Sequence, residues 1–118
     1  MRLLLVDDDP DVRMLLCATL RAAGCVVTEA ASAPDALAAL AGGLVADAII
    51  TDFAMSGIDG LELVDRVRQH QPGMPAIIIT GLAEEPRLQS LPPDIRLLAK
   101  PFRRAALLAE LAALQGAS

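Results

Sequence analysis

The sequence predicts an α/β protein: a five-stranded parallel sheet, doubly wound, with helices on both faces. Apolar runs of strand length alternate with segments of helical period along the whole 118-residue chain. The strand-like runs are continuously apolar, as expected of strands covered on both sides. Capping residues and glycine or proline stops separate the two kinds of segment, and right-handed crossovers then distribute the helices over both faces.

The elements follow in order. Leu3-Leu4-Leu5-Val6 is the first strand. Asp9-Pro10 reads as helix N-cap and N1, because proline loses nothing where the N–H has no partner. This helix sets Val12, Leu15, Leu16, Thr19 and Leu20 on one face and stops at Gly24. Cys25 to Glu29 is the second strand; Ser32 with Asp35 resembles a capping box for a helix through Ala36, Leu37 and Leu40, ended by Gly42-Gly43. Asp47 to Thr51 is the third strand, ending at Asp52. Asp59, with Glu62 three residues on, caps a third helix through Leu61, Leu63, Val64 and Val67 that stops before Pro72-Gly73. Ala76 to Ile79 is the fourth strand, ending at Thr80, and Ile95 to Ala99 the fifth, ending at Lys100-Pro101. Between them Ala83 to Leu91 predicts a short helix, with Pro86 in its first turn and Pro92-Pro93 ending it. A last amphipathic helix covers Arg103 to Leu114, with Leu107, Leu108, Leu111 and Leu114 inward.

Composition narrows the function. One domain fits this length, and 54% hydrophobic residues exclude a disordered chain. No apolar run approaches the roughly 18–20 residues of a membrane span. The start, Met1 to Asp7, turns acidic too soon for a signal peptide, so a cytoplasmic protein is expected. A formal charge of −5 and only two aromatic residues, Phe53 and Phe102, argue against nucleic-acid and anionic-membrane partners. Cys17 and Cys25 lack zinc or redox spacing and read as small buried hydrophobes.

In a doubly wound sheet the site lies at the carboxyl ends of the strands. There strand one presents Asp7-Asp8, strand three Asp52, strand four Thr80 and strand five Lys100, the sole lysine of the chain. Like charges about 4 Å apart repel by about 4 kcal/mol at an effective dielectric near 20. Lys100 supplies a single compensating charge, so a divalent ion with oxygen ligands is the natural relief. Mg²⁺ suits such a set, its remaining positions taking a main-chain carbonyl, waters and a phosphoryl oxygen. Asp52, alone at its strand end, is the candidate nucleophile; Lys100 and Thr80 would stabilise a transferring phosphoryl group.

These residues resemble the receiver domains of two-component response regulators. The match spans essentially the whole chain: Leu5-Val6-Asp7-Asp8; Thr51-Asp52-Phe53-Ala54-Met55 with Gly57-Ile58-Asp59-Gly60; Thr80-Gly81; and Lys100-Pro101-Phe102. The resemblance implies the flavodoxin-like (βα)5, three-layer α/β/α fold over residues 1–118. It implies that Asp52 becomes a 4-aspartylphosphate by transfer from a sensor histidine kinase or phosphotransfer protein. Mg²⁺ would be held by Asp8, Asp52 and the main-chain carbonyl of Ala54, with Asp7 acting largely through water. Thr80 would be the switch hydroxyl and Lys100 the partner of the phosphoryl oxygens, with a cis Lys100–Pro101 bond. A docking surface for an unidentified downstream protein follows, a phosphorylation-dependent dimer is compatible, and an output domain is not expected. The wording around Thr80 and Lys100 is similar to receivers attached to hybrid sensor kinases.

Other readings fit less well. Asp9 and Asp11 read as helix-start acids, and the Asp7-x-Asp9-x-Asp11 spacing lacks the glycine and glutamate of a calcium loop, having Val12 and Ala18 there. His70 sits at a helix end, where an imidazolium suits the dipole; Gly57 and Gly60 read as turn and helix-start residues. An aspartate-nucleophile phosphohydrolase would need Thr or Val where Asp11 stands and a larger core; a pseudo-receiver scaffold would not need the complete acidic set. Against the family pattern, Leu97 replaces an aromatic residue and Ser56 a proline. Ala54 and Leu82 occupy positions resembling those that tune dephosphorylation and can hold no attacking water, so slow self-hydrolysis is expected.

Overall fold

The computed structural model describes residues 1–82 and 84–116. Five strands, β1 (Arg2–Val6), β2 (Val26–Ala30), β3 (Ala48–Asp52), β4 (Ala76–Thr80) and β5 (Ile95–Ala99), form one parallel sheet ordered β2-β1-β3-β4-β5. The helices are α1 (Pro10–Ala22), α2 (Ala33–Ala41), α3 (Gly60–His70) and α4 (Arg104–Gly116). No helix among the described residues is long and apolar enough to cross a membrane.

The two-residue period of each strand sorts its side chains onto two faces. Leu3, Leu5, Ile50, Ile77 and Ile79 pack with Leu16, Cys17 and Leu20 of α1 and Leu107, Leu111 and Leu114 of α4. Leu4, Val6, Ile49 and Ile78 face the other way, onto Ala33 and Ala36 of α2 and Leu63, Val64 and Val67 of α3. The order steps outward from β1 to β2 and then back across to β3, so the crevice of this fold opens where β1 and β3 end.

The caps form as the sequence dictates. Asp9 accepts from the N–H groups of Asp11 and Val12 at 2.9 and 3.3 Å, Ser32 from Asp35 at 3.1 Å, and Asp59 from Glu62 at 2.9 Å. Helix α1 ends in a Schellman motif: Cys25 N–H reaches Leu20 O at 3.1 Å and Gly24 N–H reaches Arg21 O at 3.0 Å. Gly24 has φ +92°, a conformation that a side chain disfavours.

Two expectations need correction. Leu15 is not on the inward face of α1: it is 70% exposed, while Cys17 is buried. The sheet covers only a narrow stripe of the helix, and at 100° per residue Leu16, Cys17 and Leu20 fill it. The helix expected between β4 and β5 is a single 3₁₀ turn, Pro86–Leu88; Ala83 lies outside the described residues. Pro86 at the start and Pro92-Pro93 beyond leave too few residues for a second turn of i→i+4 bonds. Side-chain contacts replace the missing helix. Arg87 pairs with Asp59 and with Glu85, both at 2.9 Å, and its guanidinium lies 5.4 Å from the centre of the Phe53 ring.

Candidate functional site

The strand ends converge as the topology requires. Register aligns Val6 with Thr51, Asp52 with Ile79, and Thr80 with Ala99, so the residues that end β1, β3, β4 and β5 share one edge. Asp7 and Asp8 follow β1, Asp52 closes β3, Thr80 closes β4 and Lys100 follows β5.

Asp7, Asp8 and Asp52 each offer a carboxylate oxygen, and these lie within 4.8 Å of one another. Asp7 and Asp52 are buried and Asp8 is exposed, so the cluster opens to solvent on the Asp8 side. Lys100 Nζ stands 2.9 Å from Asp52 Oδ1. Three carboxylates against one ammonium leave an excess of two negative charges, which a hard divalent cation would neutralise. The donor set is all oxygen and the ligand atoms are close enough to share one ion, so the residues fit Mg²⁺.

Backbone contacts orient the acids. Asp7 Oδ1 accepts from Asp9 N–H at 2.9 Å, Asp8 Oδ2 from Ser56 N–H at 3.3 Å. Thr80 is buried, and its Oγ1 accepts from Leu82 N–H at 2.8 Å, which leaves the hydroxyl proton available to an acceptor in the crevice. Ala54, exposed, follows Asp52 by two residues. The Lys100–Pro101 bond is cis.

Sequence reasoning missed the close approach of α3 to the site. Gly60 N–H donates to Phe53 O at 2.8 Å, and a Cβ on Gly60 would collide with the main-chain oxygen of Asp52 itself. It also missed Arg13, whose Nη1 donates to Asp7 O at 2.6 Å; its helical spacing after Asp9 was the available signal. His70 ends α3, away from the acidic edge, as its sequence position implied.

The Asp7 carboxyl is pushed above its ordinary 3.8, chiefly by burial and further by the Asp52 charge; the Asp9 N–H and Lys100 oppose the shift. The folded chain therefore holds this proton more tightly than the unfolded chain does. Stability of the metal-free fold falls as pH rises across the interval between the two values, and the full penalty is present above it. Asp7→Asn keeps the acceptor for Asp9 N–H and removes the charge. At neutral pH without metal this variant is expected to be more stable than wild type by roughly 1 kcal/mol, because it removes the cost of burying the charge and its repulsion from Asp52 and Asp8, offset in part by the lost attraction of Lys100. Thermal melts in chelator check this, and the gain must shrink as pH is lowered through the Asp7 interval.

Comparison with known proteins agrees with this architecture. The family model described as response regulator receiver domain matches residues 3–112. The chain is 38% identical over 100 residues to the C4-dicarboxylate transport transcriptional regulatory protein DctD of Rhizobium meliloti, covering 83% of this chain and 22% of that protein. It is 37% identical over 103 residues to the sensor kinase CckA of Brucella abortus, covering 84% of this chain and 11% of that one. Both relatives are thus much longer than the stretch they share with this chain. Among solved structures, the response regulator protein TrrA of Thermotoga maritima in complex with Mg²⁺–BeF superposes with a TM-score of 0.84 at 28% identity, covering 96% of this chain and 97% of that one. With its parallel sheet, its acidic strand ends and a family match over nearly its full length, the chain belongs to the receiver domains of two-component response regulators.

Proposed function

We propose that Asp52 is the phosphoryl acceptor of this receiver and that Asp7, Asp8, Asp52 and the main-chain carbonyl of Ala54 hold Mg²⁺ beside it. The observation that carries the reading is the meeting of three carboxylates within 4.8 Å, one of them 2.9 Å from Lys100. The Mg²⁺–BeF complex of the Thermotoga relative supports the choice of ion.

A carboxylate oxygen of Asp52 attacks the phosphorus of a phosphohistidine presented by a sensor kinase or phosphotransfer protein. The O–P bond forms as the P–N bond breaks, and the imidazole leaves with its electron pair. Bound Mg²⁺ would supply charge neutralisation for the acids and the incoming phosphoryl oxygens. Lys100, already on Asp52, follows the charge onto the phosphoryl group, and the Thr80 hydroxyl donates to one of its oxygens. The altered strand-end contacts then change the surface offered to a downstream protein. Neither Ala54 nor Leu82 can orient a hydrolytic water, so the acyl phosphate is long-lived.

Incubation with acetyl phosphate and Mg²⁺, read by intact-mass spectrometry, tests the assignment. One phosphoryl adduct is expected on wild type and none on Asp52→Asn; an adduct surviving in that variant would refute it. Decay of the adduct is expected to be faster in an Ala54→Asn, Leu82→Glu double variant, and equal decay rates would remove the lifetime argument.

A further inference from the structure

Asp7 and Asp8 lie just beyond the last residue of β1, where the sheet no longer fixes the chain. Asp7 N–H still reaches Ala30 O at 3.2 Å, but the peptide that joins the two acids carries a different anchor. Arg13, one turn into α1, donates from Nη1 to Asp7 O at 2.6 Å, a short charge-assisted bond. The other side of its guanidinium is held too: Nε lies 3.4 Å from Glu29 Oε1 on β2. Glu29 is steadied in turn by Arg21 at 3.9 Å, and Arg21 donates to Val27 O at 3.0 Å. With a side chain only 19% exposed, Arg13 ties α1, β1 and β2 together at the acidic edge.

We propose that Arg13 is a positioning residue for the metal site: by fixing the Asp7–Asp8 peptide it aims both carboxylates toward Asp52. This rests on the metal reading above. Asp8 is exposed, with one 3.3 Å bond from Ser56 to its carboxylate, so rotation of that peptide would carry Asp8 away from the cluster while Asp7 turned with it. Charge and position make opposite demands here. A guanidinium near a cation site repels the cation, so a purely electrostatic role predicts tighter Mg²⁺ binding once Arg13 is neutralised. A positioning role predicts weaker binding.

Mg²⁺ titration of the full chain, followed by amide NMR shifts in about 0.5 M salt so that long-range charge is screened, separates the two. Arg13→Met is expected to weaken Mg²⁺ roughly tenfold, the usual cost of losing a residue that orients a ligand. Arg13→Lys, which keeps the charge and one of the two anchors, is expected to lie between Met and wild type. Unchanged or tighter binding by Arg13→Met overturns the proposal, as does a loss confined to metal-free melting temperature. Should Arg13→Met not fold, Glu29→Met, which removes the acceptor of Arg13 Nε and leaves the guanidinium held by Asp7 O alone, decides: a loss of roughly threefold supports the proposal and an unchanged affinity overturns it. Asp8→Asn is the separate control. If it leaves Mg²⁺ affinity intact the metal reading itself fails, whereas its loss beside an unaffected Arg13→Met removes only the role of Arg13.

Discussion

Lys100→Met lowers the rate of phosphoryl incorporation from acetyl phosphate by roughly 10²–10³-fold, the range found when a single preorganised stabiliser of transferring charge is removed. The expectation follows from the 2.9 Å contact of Nζ with Asp52 and from the scarcity of alternatives. Lys100 is the sole lysine, and each arginine among the described ion pairs is committed to an acid outside the cluster. Methionine keeps the apolar stem and its packing while deleting the charge. Loss of the ammonium also removes one of the influences restraining the Asp7 carboxyl, whose shift upward then grows. Mg²⁺ binding in the variant should consequently depend more steeply on pH, falling off sooner as pH is lowered, because the metal competes with a proton that Asp7 holds more strongly. Rate and Mg²⁺ affinity measured across pH on wild type and variant check both parts. A rate within threefold of wild type would mean that Lys100 is only a structural partner of Asp52, given that roughly tenfold or more is the usual signature of a group acting on developing charge.

Gly60→Ala carries the largest expected effect on stability, about 3 kcal/mol, or a fall in Tm on the order of 10 °C. The added methyl would meet main chain on every near side: the Asp52 carbonyl oxygen, Phe53 Cα at 3.0 Å and the Asp52 carbonyl carbon at 3.1 Å. No side-chain rotation relieves these contacts, so either α3 lifts off β3 or the Asp52 peptide shifts. The propensity gain of alanine within a helix, up to about 1 kcal/mol, is too small to compensate. Gly81→Ala is the matched control, since a Cβ there meets nothing within 4 Å and its stability should barely change. Because the obstructed atom belongs to Asp52, the Gly60 variant should also lose Mg²⁺ affinity, which a remote packing defect would not cause. Melting curves with and without Mg²⁺ on both variants decide the matter.

The sheet and its edge were legible because their determinants are local and periodic. Runs such as Ala76-Ile77-Ile78-Ile79 state burial on two faces directly, and Asp9-Pro10 and Ser32 announce their helices by cap chemistry. Once the strands are parallel and doubly wound, the strand-end rule alone brings Asp7, Asp8, Asp52, Thr80 and Lys100 together from four separate stretches. What escaped the sequence depends on contacts between elements. Leu15 and Cys17 lie two residues apart on α1, and only the width of the stripe that the sheet covers decides which is buried. The sequence over 83–91 has helical spacing, but its prolines and the Arg87 contacts to Asp59 and Phe53 leave a single turn, Pro86–Leu88, among the described residues. The Gly60 approach has no signature in one sequence, since a turn glycine and a crowded glycine are written alike.

Among the described residues from Leu82 to Asp94, Leu88 and no other large side chain is fully committed to the interior. The acids and the ammonium meanwhile lie at the ends of strands packed mainly on the four helices, with Leu88 and Leu91 the share that stretch adds to the core. The chemistry is therefore held mainly by parts of the molecule other than this stretch. The exposed side chains between Glu84 and Asp94 could thus change in identity while the strand-end residues keep their geometry.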